Sequence, residues 1–168
     1  EKEVKIEKCA QASDEDSCEK YEGEPRRRQH TQRHLKRIRL GTGIANAFTR
    51  TPLLHASAAM DLDELSGGRM VLGLGSATRR MNEDWYDVPF SAPASRRREL
   101  VDLLRAAFAA SMGGGLRWEG EHWDLKVPLY SRPGAARDSI PIWIAAVNRG
   151  MIATAGAVAD GLVGHPCL

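Results

Sequence analysis

The chain has 168 residues, of which 42% are hydrophobic, and a formal net charge of +2. This length suffices for one domain with a hydrophobic core, and so small a charge gives no reason to expect a nucleic-acid partner. No apolar run reaches the roughly 18 residues that a membrane helix requires, the charged start is unlike a secretory signal, and the three cysteines lack metal-site spacing. We therefore expect a reduced, cytoplasmic protein with no metal site and no membrane contact.

Residues 1–37 differ in composition from the rest. Acids and lysines dominate up to Glu24, and the charge then changes sign, with the basic residues Arg26, Arg27, Arg28, Arg33, Lys36, Arg37 and Arg39. So little apolar content predicts a charged, poorly ordered segment beside the fold. A nucleic-acid-binding arm is the alternative, which a steep salt dependence of binding would support.

From residue 38 the pattern becomes that of a parallel α/β fold. Ile38–Ala45 is a near-continuous apolar run and predicts a buried parallel strand. Thr51-Pro52 predicts the start of a helix and Gly67-Gly68 its end. Helical spacing predicts that its buried side carries Leu54, Ala58, Leu62 and Leu65. Met70–Leu74 predicts the next strand, which completes a βαβ unit with glycines at both strand ends.

The second half continues the alternation. Residues 76–94 predict a long loop that packs, because it holds several aromatic side chains. An amphipathic helix follows over Ser95–Ala110, with the arginines 96–98 largely off an apolar stripe formed by Leu100, Leu103, Leu104, Ala107 and Phe108. The remaining predicted elements are a hairpin that turns at Gly120, a strand at Pro141–Ala146, a helix at Arg149–Val158 and a strand at Asp160–Gly164.

Four parallel strands and three helices are half of an eight-stranded α/β barrel. Half a barrel leaves two open, apolar strand edges. We therefore expect the chain to pair with a second copy, to be part of something larger, or to fold poorly. Ligands of parallel sheets bind outside the carboxyl ends of the strands, so a flat cofactor is expected at the glycine-marked strand ends.

Four motifs, in this order, resemble the luciferase-like monooxygenase family: Arg39-Leu-Gly-Thr-Gly-Ile-Ala-Asn46, Thr49-Arg-Thr-Pro52, Leu62-Asp-Glu-Leu-Ser-Gly-Gly-Arg69 with Leu72-Gly-Leu-Gly75, and Ile142-Trp-Ile-Ala-Ala146 with Ala159-Asp-Gly-Leu162. The resemblance covers residues 35–166. It implies a TIM-type (β/α)8 barrel, of which residues 38–168 would form strands three to six as a partial barrel. It further implies a flavoprotein-type oxidoreductase or monooxygenase that acts on a small-molecule substrate with reduced FMN or the deazaflavin coenzyme F-420. The sequence does not separate these two cofactors.

The resemblance also implies cofactor-binding positions. Gly43-Ile44 matches the place where the family often carries a non-prolyl cis peptide against the flavin. The other positions are Asn46, Gly75, Ser76, Asn82, Ala145, Ala146, Val147 and Asn148, each of which also suits an ordinary turn or strand end. No catalytic residue is assigned, because Thr78 stands where some relatives carry a glutamate proton donor. Arg79 and Arg80 follow it, either to hold an anion or as an exposed pair.

Two functions from different classes remain open. In the first, the chain is a truncated luciferase-like oxidoreductase that works as a homo-oligomer or together with the missing barrel half. In the second, it is a catalytically inactive barrel fragment that acts as a dimerisation or interaction module. The absent first strands favour the second function, and the ordered set of motifs favours the first.

Overall fold

The computed structural model describes residues 37–135 and 137–164. The charged segment, up to residue 36, lies outside this part. The described elements, in chain order, are β1 (Leu40–Gly41), β2 (Ala45–Asn46), α1 (Pro52–Ser66), β3 (Met70–Gly75), a π-helical turn (Met81–Trp85), α2 (Pro93–Ala110), β4 (Leu116–Glu119), β5 (Asp124–Val127), β6 (Ile142–Ala145), α3 (Arg149–Val158) and β7 (Gly161–Val163).

The main sheet is parallel throughout. Both β1 and β2 pair with β3, which pairs with β6, and β6 pairs with β7. The strands β4 and β5 form a separate antiparallel hairpin between α2 and β6. Four parallel strand positions with intervening helices confirm the predicted partial α/β barrel. None of the helices in the described part of the chain is long and apolar enough to cross a membrane.

The first strand position is interrupted, so the prediction of one continuous strand over Ile38–Ala45 was wrong. Gly41 pairs with Val71 and Ala45 pairs with Leu74. Three residues of the first strand position therefore stand opposite two residues of β3, which defines a bulge. The Gly43–Ile44 peptide bond inside this bulge is cis, as the family resemblance implied.

The bulge determines which residues β3 can carry. The Thr42 hydroxyl donates a hydrogen bond to the Gly73 carbonyl oxygen at 2.6 Å. A Cβ atom on Gly73 would collide with the Thr42 carbonyl oxygen, and one on Gly75 would collide with the Ile44 side chain. The two glycines of β3 are therefore required by the close approach of the bulged strand.

The hydrophobic core lies between the sheet and the helices. On the helix-facing side of the sheet, Leu72 is the register partner of Ile142, and Leu74 that of Ile144. The predicted stripe of α2 packs on them, so that prediction is confirmed: Leu100, Leu103, Leu104, Ala107 and Phe108 are all at most 1% exposed. Burial of each of these leucines and of Phe108 contributes about 1.5–3 kcal/mol.

Helix α1 begins and ends as predicted, but it buries a different side. The Thr51 hydroxyl accepts a hydrogen bond from the Leu54 backbone N–H, and Gly67 ends the helix in the left-handed conformation with φ of 69°. Three of the four side chains predicted to be buried are exposed, namely Leu54, Leu62 and Leu65. The buried side is instead formed by four apolar residues and three polar ones: Pro52, Ala56, Ala59, Met60, His55, Asp63 and Ser66.

Asp63 can lie on the buried side of α1 because its carboxylate has specific partners. The Asp63 carboxylate accepts hydrogen bonds from the Met70 backbone N–H at 3.1 Å and from two nitrogens of Arg137, at 2.7 and 3.0 Å. A buried carboxylate is tolerated only when it is paired and hydrogen-bonded in this way. This contact joins α1, β3 and the loop before β6.

The opposite face of the sheet is partly open. It carries a groove of about 330 Å³ whose lining includes Thr42, Val71, Gly73, Trp143 and Val163. Trp143 remains 37% exposed there. This face corresponds to the interior of the complete barrel, which would enclose it.

We predict that Gly73→Ala lowers the free energy of unfolding by about 1–3 kcal/mol, because the new Cβ overpacks against the Thr42 carbonyl. Gly156→Ala is the control, since Gly156 is exposed in α3 with open space around its Cβ position. That variant should gain about 0.4–1 kcal/mol. Urea unfolding of both variants measures the difference, and a Gly73→Ala protein as stable as the wild type would contradict the bulge contact.

Candidate functional site

The carboxyl ends of the parallel strands meet along one edge of the sheet. Asn46 at the end of β2 is the register partner of Gly75 at the end of β3, and Ala145 at the end of β6 is the partner of Val163. The chain continues this pairing beyond the strands, because Ala47 N–H donates to the Gly75 carbonyl oxygen at 2.8 Å. The structure thus brings three predicted groups to one edge: residues 43–46, 75–76 and 145–148.

Two asparagines join this edge to the loop after β3. The Asn46 Nδ2 donates to the Asn82 Oδ1 at 2.9 Å. The Asn82 Nδ2 donates to the carbonyl oxygens of Ser76 at 2.7 Å and of Thr78 at 2.8 Å. The Asn46 Oδ1 in turn accepts from the Phe48 backbone N–H at 3.0 Å. One connected network therefore fixes the end of β2, the turn after β3 and the π-helical turn.

Within this network Asn82 is an internal member. Its side chain is fully buried, at 0% exposure, and both amide hydrogens and the amide oxygen are in use. In this structure it supports the 76–82 loop and does not face the open edge. Asn46 and Ser76 are partly exposed, so a ligand can reach their polar side chains.

The segment after β6 presents the start of a helix at the same edge. The Asn148 Oδ1 caps α3 by accepting from the Met151 backbone N–H at 2.9 Å. The preceding N–H groups, of Arg149 and Gly150, have no partner inside the helix. Together with the helix dipole, free N–H groups at such an end attract anions.

A row of aromatic and arginine side chains lies beside Asn46. The rings of Phe48 and Phe90 stack with centroids 4.8 Å apart. The Arg79 guanidinium covers Phe90 at 5.3 Å, and the Arg96 guanidinium lies 5.2 Å from Phe48 and 4.9 Å from Trp123. The row joins the 76–94 loop, the start of α2 and the hairpin tip. The predicted packing of this loop is confirmed for Phe90, but it was wrong for Trp85 and Tyr86, which are 65% and 50% exposed.

The arginines after Thr78 are engaged with neighbouring acids. Arg79 pairs with Glu83 at 2.6 Å and Arg80 with Asp84 at 3.3 Å, both one helical turn apart and both exposed. Thr78 accepts a hydrogen bond from the Met81 backbone N–H through its hydroxyl. Of the two interpretations of these arginines, the exposed pair matches the structure.

His55 lies directly behind the end of β2. It is 2% exposed, and its Nε2 atom is buried without a hydrogen-bond partner. Burial and the nearby Arg50 charge lower the pKa of His55 from 6.5 to about 4, against a smaller opposing effect of a hydrogen bond to the Asn46 backbone. The imidazole is therefore neutral at physiological pH.

Arg97 is buried on α2, contrary to the prediction from the sequence. It is 1% exposed, although the arginines of α2 were predicted to lie largely off the buried stripe. Its Nη1 donates to the Ala145 carbonyl oxygen at 2.9 Å. Arg97 precedes Leu100 by three residues and Leu104 by seven, which places it on that stripe. This spacing is the feature of the sequence that could have predicted its burial.

Comparisons with known proteins identify the family. The sequence profile of the luciferase-like monooxygenase family matches residues 33–167, and the chain belongs to this family. An uncharacterised protein of Mycobacterium tuberculosis is 41% identical over 79% of this chain and 40% of its own length. A putative coenzyme F-420-dependent oxidoreductase of the same organism is 34% identical over 75% of this chain and 39% of its own length.

A solved structure agrees with this assignment. The coenzyme F-420-dependent tetrahydromethanopterin reductase from Methanopyrus kandleri superposes with a TM-score of 0.64 at 28% identity, covering 76% of this chain and 40% of the reductase chain. The chain thus spans about 40% of the length of these relatives. The fold is that of part of their barrel.

Replacing Asn82 by Asp should loosen the loop after β3. An aspartate cannot donate to the Ser76 and Thr78 carbonyl oxygens, so the free energy of unfolding should fall by about 1–3 kcal/mol. Backbone hydrogen exchange over residues 76–90 should accelerate. Asp84→Asn is the matched control in the same turn, because it removes only the exposed pair with Arg80. Equal exchange in the two variants would contradict the role given to Asn82.

The buried neutral His55 predicts a loss of stability in acid. Its pKa of about 4 lies below the unfolded value of 6.5, so the unfolded chain binds more protons between these values and stability falls as the pH decreases through this window. Between about pH 7.5 and about pH 4.5, His55 should lower the free energy of unfolding by about 2–3 kcal/mol. Urea unfolding of wild type and His55→Gln at several pH values measures it. The variant should show a shallower pH dependence, and parallel profiles would refute the prediction.

Proposed function

We propose that this chain provides one side of the cofactor cleft of a luciferase-like oxidoreductase that uses reduced FMN or coenzyme F-420. The proposal includes a small-molecule substrate and a cytoplasmic setting. The observation that carries it is the meeting of the residue groups 43–46, 75–76 and 145–148 at the carboxyl edge of a parallel sheet. In α/β barrels this edge is where ligands bind.

The geometry of the edge fits a flat, anionic cofactor. No atom outside Gly43 and its two chain neighbours lies within 4 Å of the position that a Cβ of Gly43 would occupy, so a ring can approach the exposed backbone of Gly43 and Ile44. Asn46 and Gly75 flank this backbone on the paired strand ends. Residues 145–148 and the start of α3 lie at the far side of the same edge, and their N–H groups suit the phosphate-bearing tail.

The chemistry then divides between cofactor and protein. A bound reduced flavin or deazaflavin would supply the hydride, and FMN can also activate oxygen. The protein orients the ring by the backbone of the bulge and holds the tail at the α3 start. The asparagine network and the aromatic row position the 76–94 loop, which would shape the substrate pocket. No proton donor is assigned, because the acids near Thr78 are paired with arginines.

The descriptions of the relatives do not decide between the two candidate cofactors. One relative is described as a putative coenzyme F-420-dependent oxidoreductase and a structural neighbour as a coenzyme F-420-dependent reductase. A further neighbour was solved with modified FMN, at an identity that supports the fold alone. A binding measurement with both cofactors must therefore decide which of them the chain uses.

Equilibrium titration of the purified chain with FMN and with coenzyme F-420, monitored by fluorescence, tests the proposal. We expect saturable binding of one of them with a dissociation constant in the micromolar range, about −8 kcal/mol. Ser76→Trp, which fills the edge, should abolish the binding, whereas Asp84→Asn should not change it. Binding of neither cofactor would overturn the proposal.

A second function is favoured by the open edges of the fold. Apolar side chains are exposed at both ends of the sheet, with Leu40 at 37% and Leu162 at 49%, and the α1 leucines Leu54 and Leu65 are exposed as well. Such edges suit a dimerisation or interaction module, formed by a second copy or by the remaining barrel half. Sedimentation velocity distinguishes this function: a concentration-dependent dimer without cofactor binding would support it, and a monomer that binds cofactor would exclude it.

A further inference from the structure

Among the residues that the structure describes, Arg97 has the largest completely buried side chain. It lies in the second turn of α2, among the apolar residues of the core stripe. Burial lowers the pKa of Arg97 from its usual value to about 10, so the side chain is still charged at neutral pH. A charge in this position is costly unless it is compensated by an opposite charge or by hydrogen bonds.

The structure provides Arg97 with little compensation. Its Nη1 has one partner, the Ala145 carbonyl oxygen, and its Nε atom is buried without a partner. In the part of the chain that the structure describes, no carboxylate lies within 4 Å of its guanidinium. By contrast, Arg105 and Arg137 are each paired with an aspartate, at 3.0 and 2.7 Å.

The single partner of Arg97 lies where β6 ends and the turn to α3 begins. Ala145 ends β6, and the next residue, Ala146, donates its N–H to the Val163 carbonyl oxygen at 3.2 Å. The chain then turns through Val147 to the cap at Asn148, where α3 starts. The carbonyl held by Arg97 therefore lies at the junction between the end of β6 and a turn with free N–H groups.

We infer that Arg97 is a positioning residue for residues 145–148: it fixes the Ala145 carbonyl so that the following N–H groups face an anion, and its uncompensated charge favours that anion. The inference rests on the proposed function, in which the anion is the phosphate of the cofactor tail. The inference accounts for the lack of a carboxylate partner of Arg97 among the described residues, because such a partner would cancel the positive potential that the turn presents.

Two ligands that differ only by a phosphate isolate this effect. FMN carries the 5′-phosphate and riboflavin lacks it, so the ratio of their dissociation constants reports the phosphate contribution. We expect Arg97→Gln to raise the dissociation constant for FMN about tenfold and that for riboflavin less than about threefold. Arg98→Gln is the control, because Arg98 is the adjacent, exposed arginine, and it should leave both constants unchanged. If the wild-type chain selects coenzyme F-420, the same comparison uses that coenzyme and its deazariboflavin core without the phosphate-bearing tail.

Hydrogen exchange without ligand provides an independent measurement. Arg97→Gln should accelerate exchange of the amides of residues 146–151, while β3 remains protected, and Arg98→Gln should change neither. Arg97→Lys keeps the charge but not the planar fork, so it should give intermediate values of both the exchange rate and the FMN-to-riboflavin ratio. If Arg97→Gln does not fold, the lysine variant decides, and wild-type values in it would overturn the inference.

The possible failures are distinguishable. A wild-type chain that binds neither cofactor overturns the proposed function and with it the phosphate part of the inference, whereas the exchange measurement still decides the positioning role. Equal weakening of FMN and riboflavin by Arg97→Gln would mean that Arg97 serves packing alone. Unchanged exchange at residues 146–151 would overturn the positioning role.

Discussion

The close approach of the bulged first strand to β3 is the constraint on which the site depends. One extra residue between the pairs Gly41–Val71 and Ala45–Leu74 moves the Thr42 carbonyl and the Ile44 side chain against β3. Only glycines at positions 73 and 75 leave room for them. The bulge thus re-aims the end of β2, and the backbone of Gly43 and Ile44 becomes accessible at the carboxyl edge.

Buried polar groups then hold the pieces of this edge in place. The Asn46–Asn82 pair joins β2 to the loop after β3, and Arg97 joins α2 to the end of β6. One member of each contact is buried, Asn82 at 0% and Arg97 at 1% exposure, where an unmade hydrogen bond is costly, so the geometry of the edge is strongly specified. Apolar packing alone is non-directional and could not fix the direction of these carbonyl groups.

Both ends of the sheet remain open in this fold. The chain spans about 40% of the length of the luciferase-like proteins it matches, and the apolar edges at Leu40 and Leu162 stay exposed. In a complete barrel neighbouring strands and helices would cover them. A second copy or the remaining barrel half that covers these edges would also enclose the carboxyl edge of the sheet.

The sequence by itself determined the order of the main strands and helices, the start and end of α1 and the family, because periodicity, capping residues and glycine-marked strand ends are local signals. It also named the residue groups that meet at the carboxyl edge. The bulge in the first strand, the exposed leucine side of α1 and the burial of Asn82 and Arg97 were decided by tertiary structure. Each of these depends on a partner distant in the chain, such as Gly73 for Thr42 or Ala145 for Arg97, and a local pattern contains no information about such a partner.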